Sequence, residues 1–306
     1  MNLAPILLFV YKRPVHTRLT LEALKNNFLA NESELFVVSD APRNPADKDE
    51  VESVRELVKS NNWCAKVHLI CNEKNLGMND NFFFHITSLL EKYGRLIVLE
   101  DDLCTSPYFL KFMNENLELY QEDKRVMQIT GFNFKMKTRN LPSSFLMGVA
   151  NGWGWATWNN RWQKLIRDPK IVFDKIKQKN LYDRLTIDKS YPDYWKQLES
   201  NATGIHNDWD IKWFSSFVLE NGLCLYPKES LVVNIGFDGT GMHFKNGNKG
   251  HETILSKKPV LLEKQIIEEN ELARKYLRAY FFKQQPGFKE KVIDKLKLIK
   301  RTYFKK

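Results

Sequence analysis

Three acidic residues, Glu100, Asp101 and Asp102, follow the apolar run Leu96-Ile97-Val98-Leu99 without a break. Each carboxylate raises the energy of ionising its neighbours, so such a cluster is useful where a cation or a proton transfer offsets the repulsion. Adjacent carboxylates are hard oxygen donors of the kind Mg2+ or Mn2+ takes, commonly one or two from the protein with phosphate oxygens completing the shell. Extended backbone through the triplet would point Glu100 and Asp102 one way and Asp101 the other, leaving one acid for a metal and its neighbour for a substrate hydroxyl. The plain alternative is a solvated acidic turn ahead of a helix that Ser106-Pro107 starts.

The elements around the triplet explain how it would be positioned. Ile6–Tyr11, Leu35–Ser39, Lys66–Cys71 and Leu96–Leu99 are short apolar runs that read as strands. Between them, Val15–Phe28, Asp47–Ser60 and Asn79–Tyr93 carry apolar residues near a 3.6 period and read as helices. This alternation predicts an α/β fold, a Rossmann-like, mostly parallel sheet flanked by helices, with ligands at the carboxyl ends of the strands. Lys12 and Arg13, Asp40 and Arg43, Asn75 to Gly77, and the acidic triplet all fall at that edge.

Beyond residue 125 the pattern predicts an α+β half. Val126–Thr130 and Phe145–Gly148 read as strands, and "NGWGWATWNNRW" (151–162) as glycine-spaced tryptophans leading into a helix near Ala156. Exposed tryptophan faces there suit stacking on a sugar, with Trp153 or Trp155 the contact; buried, they are core. "GIHNDWDIKWFSSFVLENG" (204–222) reads as a helix capped by Asn207 or Asp208. "LVVNIGFDGTGMHF" (231–244) reads as a strand and a glycine-rich loop ending in His243, and the chain from Leu261 as charged helix, broken at Pro286-Gly287.

Taken in order, "PILLFVYKRP" (5–14), "VVSDAP" (37–42), "NLGMNDNFF" (75–83), "EDDLCTSPYFLKFMNENLELY" (100–120), "GWGWATWNNRW" (152–162) and "GFDGTGMHF" (236–244) resemble the nucleotide-sugar glycosyltransferases of GT-A type. Within that group they are most similar to N-acetylglucosaminyltransferase I and its bacterial relatives. The resemblance implies a catalytic domain over 1–260, with 1–103 binding the nucleotide sugar and 104–260 forming the acceptor side; residues 261–306 lie outside it and read, from their own pattern, as a helical basic extension. The resemblance also implies roles. Arg13 and Asp40 would contact the base and Asp101 the ribose. Asp102 would hold the metal, joined by His243. Glu100 would lie near the transferred sugar, and Asn75 and Gly77 beside the nucleoside. Inverting transfer needs a base; Asp208 matches the family position better, with Asp210 the alternative. Arg43 is open to a phosphate.

Bulk properties narrow the classes. The formal charge is +10, and residues 288–306 contribute eight Lys/Arg against Glu290 and Asp294. Such clustering argues against a nucleic-acid groove and for a basic appendage. Val292, Leu296, Ile299 and Tyr303 fall three or four apart, so this tail suits an anionic membrane surface and an acceptor that is a glycan or lipid-linked glycan. Docking of the tail on the domain is the alternative. Cys64, Cys71, Cys104 and Cys224 lack metal-site spacing, and no apolar stretch reaches the ~20 residues of a membrane span. These features predict a cytoplasmic location, peripheral at most to the inner face of the plasma membrane, and the resemblance implies an enzyme of surface polysaccharide assembly. A non-catalytic binding module of the same fold and a carboxylate-metal phosphodiesterase are the competing readings. No GxxxxGK[ST] loop supports a kinase.

Overall fold

A computed structural model describes residues 2–187, 193–238 and 253–284. Ile6–Val10 (β1) is buried along its whole length: Ile6, Leu8 and Val10 enter one apolar cluster, Leu7 and Phe9 the other. The two-residue alternation of a strand thus feeds two cores at once, which is why an unbroken apolar run forms a strand covered on both faces. Pro14–Lys25 (α1) follows, its proline in the first turn where no amide donor is needed. Glu34–Ser39 (β2), Lys48–Lys59 (α2), Lys66–Cys71 (β3), Gly77–Tyr93 (α3) and Arg95–Glu100 (β4) continue the alternation. Gly94, at φ +76°, ends α3 in the left-handed conformation that glycine adopts without strain.

Strands β3, β2, β1 and β4 lie side by side in that order and parallel. The chain therefore winds outward from β1 to β3 and returns to the far side of β1 for β4. The switch in direction lies between β1 and β4, where a parallel sheet opens a crevice beyond its carboxyl ends.

The remaining elements are Leu103–Thr105 (β5), Phe109–Leu119 (α4), Val126–Thr130 (β6), Ser144–Met147 (β7), Trp155–Trp158 (β8), Asn159–Trp162 (α5), Pro169–Gln178 (α6), Tyr182–Leu185 (α7), Tyr194–Ala202 (α8), Trp209–Leu219 (α9), Leu223–Pro227 (β9), Val232–Asn234 (β10) and Glu271–Gln284 (α10). They extend the same sheet to eight strands, ordered β3-β2-β1-β4-β8-β6-β9-β7. Strand β8 is antiparallel to both β4 and β6, and β7 is antiparallel to β9. The fold is the expected α/β one, a mixed sheet with its parallel half at β3–β4. Separately, β5 and β10 form a short antiparallel ribbon.

Two expectations are corrected. Ala156 lies inside β8, and a helix starts only at Asn159; pairing on both sides overrides the local pattern. Residues 261–268 form no helix, and α10 begins at Glu271. Instead, residues 253–270 run along the domain, held by Ser256 N–H to Ser230 O (2.8 Å), Gln265 N–H to the Tyr120 hydroxyl (2.9 Å) and Asn270 N–H to Leu146 O (2.8 Å). Ala273, Leu277 and Phe281 of α10 are buried in the core. His243, Pro286-Gly287 and residues 288–306 lie outside the described residues. Among the described residues no helix is long and apolar enough to cross a membrane.

Candidate functional site

The switch point brings the ends of β1 and β4 together. Phe9 pairs with Glu100 in register, so Arg13, just past β1, faces the acids just past β4. Arg13 Nη1 donates to Asp102 Oδ2 at 2.9 Å and lies 3.4 Å from Asp101 Oδ1. Its Nε and Nη2 are buried and meet no acceptor among the described residues. Strand β4 ends at Glu100 and the chain turns over Asp101 and Asp102. The alternation expected from extended backbone is therefore lost, and both aspartates face Arg13.

One arginine does not balance these acids. Burial, then the charges of Asp102, Asp101 and Asp210, push the Glu100 carboxyl well above the usual range, while Arg13 opposes the rise. Burial and Asp102 push Asp101 up to about 7. The site thus holds protons that the same acids would release in water. The backbone of the turn is fixed: Thr20 donates to Asp101 O (2.8 Å), and Ile235 N–H to Asp102 O (2.8 Å). Following β10, Gly236 lies against the Arg13–Asp102 pair so closely that a Cβ would overlap the carboxylate and sit 2.8 Å from Arg13 Nη2. His16 pairs with Asp238 at 3.1 Å, pinning this crossing segment to α1.

Asp40 ends β2 and turns inward. Its carboxylate accepts from Ala41 N (3.0 Å), Asn72 Nδ2 (2.9 Å), Leu76 N (3.0 Å) and Gly77 N (3.0 Å), and the residue is 5 % exposed. It satisfies the first amides of α3, so it positions the Asn75–Gly77 turn, and its oxygens are spent there instead of on a nucleotide base. Asn75 ties the turn back through Ala41 O (2.7 Å), and Gly77 takes φ +69°. Arg43 is exposed, its backbone N–H bonded to the Tyr11 hydroxyl (2.8 Å). Lys12 and Tyr11 both bond Asp47, at 2.5 and 2.9 Å, and hold its carboxyl below the usual range.

The two acids before and within α9 diverge. Asp208 holds the N-cap position yet caps no amide of its helix. Its Oδ2 accepts from Asn201 Nδ2 (3.0 Å) on α8, and Asn201 Oδ1 takes the Asp208 N–H (2.6 Å). Asp210 is exposed and is among the charges raising Glu100. Of the pair, Asp210 shares the acidic site.

The tryptophans separate likewise. Trp155 is 0 % exposed, enclosed by Trp162, Trp209 and Trp213, which removes it as an acceptor contact. Trp153 is half-buried, edge-on to Phe132 (4.7 Å) and Phe237 (5.7 Å) beside Gly236. Thr20, Gly236 and the Asn72 amide are site residues that the sequence reading misses. Only Gly236 leaves a sequence signal, as the first glycine of the loop after β10.

Among the described residues no three His, Cys, Asp or Glu side chains are disposed to enclose a metal ion. No protein-family model matches the chain, and no curated protein does. Solved structures similar to it include a mannosyltransferase from Pyrobaculum calidifontis in complex with GDP-Man and Mn2+, 11 % identical over 71 % of this chain and 76 % of that one, with a TM-score of 0.38. TarS of S. aureus is 13 % identical over 75 % of this chain and 36 % of its own (TM-score 0.38). Glucosyl-3-phosphoglycerate synthase from Mycobacterium tuberculosis, with Mg2+ and uridine diphosphate, is 8 % identical over 57 % and 65 % (TM-score 0.36). At these scores the architecture rests on this chain's own strand order.

Proposed function

We propose that this chain is a GT-A-type glycosyltransferase that moves a sugar from a nucleotide-diphosphate donor to a hydroxyl of a glycan. The observation that carries the reading is the meeting of Arg13 with Glu100, Asp101 and Asp102 at the switch point between β1 and β4. Arg13 keeps two buried nitrogens for an acceptor group, and a guanidinium fork suits phosphate oxygens.

The donor set fits a divalent cation. Asp102 and Asp101 offer hard oxygens, and the raised carboxyls are those a dication would let ionise. Bound there, Mn2+ or Mg2+ would neutralise the charge that gathers on a departing diphosphate. The chain's own residues do the rest. Glu100, next to the metal-holding aspartates, hydrogen-bonds a sugar hydroxyl of the donor. Asp210 accepts the proton of the attacking acceptor hydroxyl, opposite the leaving group, so transfer inverts. Asp208 keeps α9 in place through Asn201. Trp153 offers a partly open ring for the sugar.

A panel of UDP-, GDP- and dTDP-sugars tests this, read by thermal shift with and without Mn2+. One donor should raise the melting temperature, and Asp102→Asn should erase the metal-dependent part. If no donor binds the wild-type chain under either condition, the proposal fails.

A further inference from the structure

Lys212 is a buried charge that the proposed transfer does not use. It closes the first turn of α9, 5 % exposed, with Nζ 5.6 Å from the centre of the Phe83 ring, on which Arg167 also lies (5.1 Å). An ammonium there opposes the positive end of the helix dipole and gives up water. Burial holds its pKa below the usual lysine range, although Asp208, Asp80 and Asp168 all favour the charged form. Among the described residues none of these acids forms an ion pair with it, and its polar partner is Asn207 Oδ1, at 2.5 Å. An apolar side chain of similar volume is often no less stable in such a place, so stability alone does not account for the lysine.

What the lysine fixes is Asn207. Held at Oδ1 by Lys212, Asn207 also accepts from Asn79 Nδ2 at its backbone oxygen. Asn79 belongs to the first turn of α3, whose leading amide, Gly77 N–H, sits on Asp40. Beside this bond Trp209 packs on Phe82 (4.9 Å). Asn207 therefore joins two helix starts, the one that forms the Gly77 turn and the one that carries Asp210. Asp208 does not serve this junction: it caps no amide of α9 and turns to Asn201 on α8.

We propose that Lys212 is a positioning residue: through Asn207 it registers the start of α9 on the start of α3, and so sets Asp210 against a donor held at the Gly77 turn. The positioning role rests on the glycosyltransferase reading; the registration of the two helices does not. Its signature is a split between stability and turnover. Removing the charge relieves its burial, whereas releasing Asn207 lets Asp210 shift, and a displacement of about 1 Å can cost about 100-fold in rate.

Lys212→Met keeps the apolar stem and removes the ammonium. It should melt at or above the wild-type temperature, hold the donor KM within about twofold and lose kcat by about 10- to 100-fold. Asn207→Ala should lose kcat to a similar extent, while Asn207→Asp, which retains an acceptor for Lys212, should keep most of it. Amide hydrogen exchange in Lys212→Met should be faster over 207–213 and unchanged over 109–119 in α4. The proposal is overturned if Lys212→Met keeps wild-type kcat, if its kcat and melting temperature fall together, or if Asn207→Asp is as poor as Asn207→Ala. Absence of transfer from every donor in the wild type would instead remove the glycosyltransferase reading; hydrogen exchange then decides the registration, and unchanged exchange over 207–213 overturns it.

Discussion

Asp40→Asn separates a positioning acid from a nucleotide-reading one. In the wild type, one carboxylate oxygen takes Ala41 N, Asn72 Nδ2 and Leu76 N, and the other takes Gly77 N at 3.0 Å and Leu76 N at 3.2 Å. Asparagine retains one acceptor oxygen and turns its amide group toward the second set of donors. The variant loses a charge-assisted bond and sets donor against donor in a buried place, a cost of about 2–4 kcal/mol. For a chain of this size that is a fall in melting temperature of roughly 3–6 °C. Asp40→Ala, which abandons every one of these bonds, should fall at least as far. Differential scanning calorimetry without ligand measures both. A second consequence is that the turn at Gly77 loosens, so donor affinity drops equally for every base. The reasoning is refuted if Asp40→Asn melts within about 2 °C of wild type while its preference among uridine, guanosine and thymidine donors changes.

Three further outcomes rest on the same geometry. Asp210→Asn should bind donor near normally and lose transfer by about 100-fold or more, the usual size of a general base contribution; Asp208→Ala should instead keep most transfer and melt lower, since its partner Asn201 loses an acceptor, and steady-state kinetics beside melting curves distinguish the two. His85 is buried against Asn72 and Phe9, and burial lowers its pKa: the unfolded chain takes up the proton first, so this stabilisation is full above pH 6.5 and lost as pH falls through the lowered value, and His85→Gln should flatten the stability–pH curve on the acid side of pH 6.5 relative to wild type. Gly236→Ala should force its Cβ into the Arg13–Asp102 pair, costing about 1–3 kcal/mol and weakening the Mn2+-dependent donor shift, both readable in one thermal-shift series.

The parallel half was legible because its strands are aliphatic runs that bury both faces, as in Ile6–Val10 and Leu96–Leu99. The β8 strand was not: "WATW" between glycines and "NNRW" has no strand-like alternation of its own, and it is extended because β4 and β6 flank it. The strand "LCLYP" at 223–227 went unread for a similar reason, a short apolar run behind a helix-ending glycine. At the site, the residue types were visible and their directions were not. A carboxylate closing a strand looks the same whether it meets a ligand or returning amides, and only the path of 72–77 decides that Asp40 does the second. Asp208 and Asp210 are two apart at a helix start, where side chains do not share a face; that the charge of Asp210, and not that of Asp208, raises Glu100 depends on how α9 packs.

Buried acids elsewhere in this chain are balanced. Glu269 has Arg274 across both oxygens, at 3.0 and 2.9 Å, and the Gly148 N–H at 2.7 Å. Asp47 has Lys12 and Tyr11, and Asp40 has three backbone amides and an asparagine. The same sequence therefore contains the means to satisfy a carboxylate, and uses them where an acid serves the fold. At the end of β4 the charge is more crowded: Asp101 and Asp102 share Arg13, Asn234 Nδ2 lies 3.5 Å from Asp102 Oδ1, Glu100 is raised by both aspartates and by Asp210, and two buried Arg13 nitrogens have no partner among the described residues. Unmet arginine donors and crowded acids side by side cost stability in the empty protein, and neither is relieved by the other, since Arg13 already bonds Asp102 through its third nitrogen. A ligand that carries its own anionic oxygens together with a cation relieves both at once. That crowding, set at the crevice where a parallel sheet opens, supports the proposed donor site over a plain acidic turn.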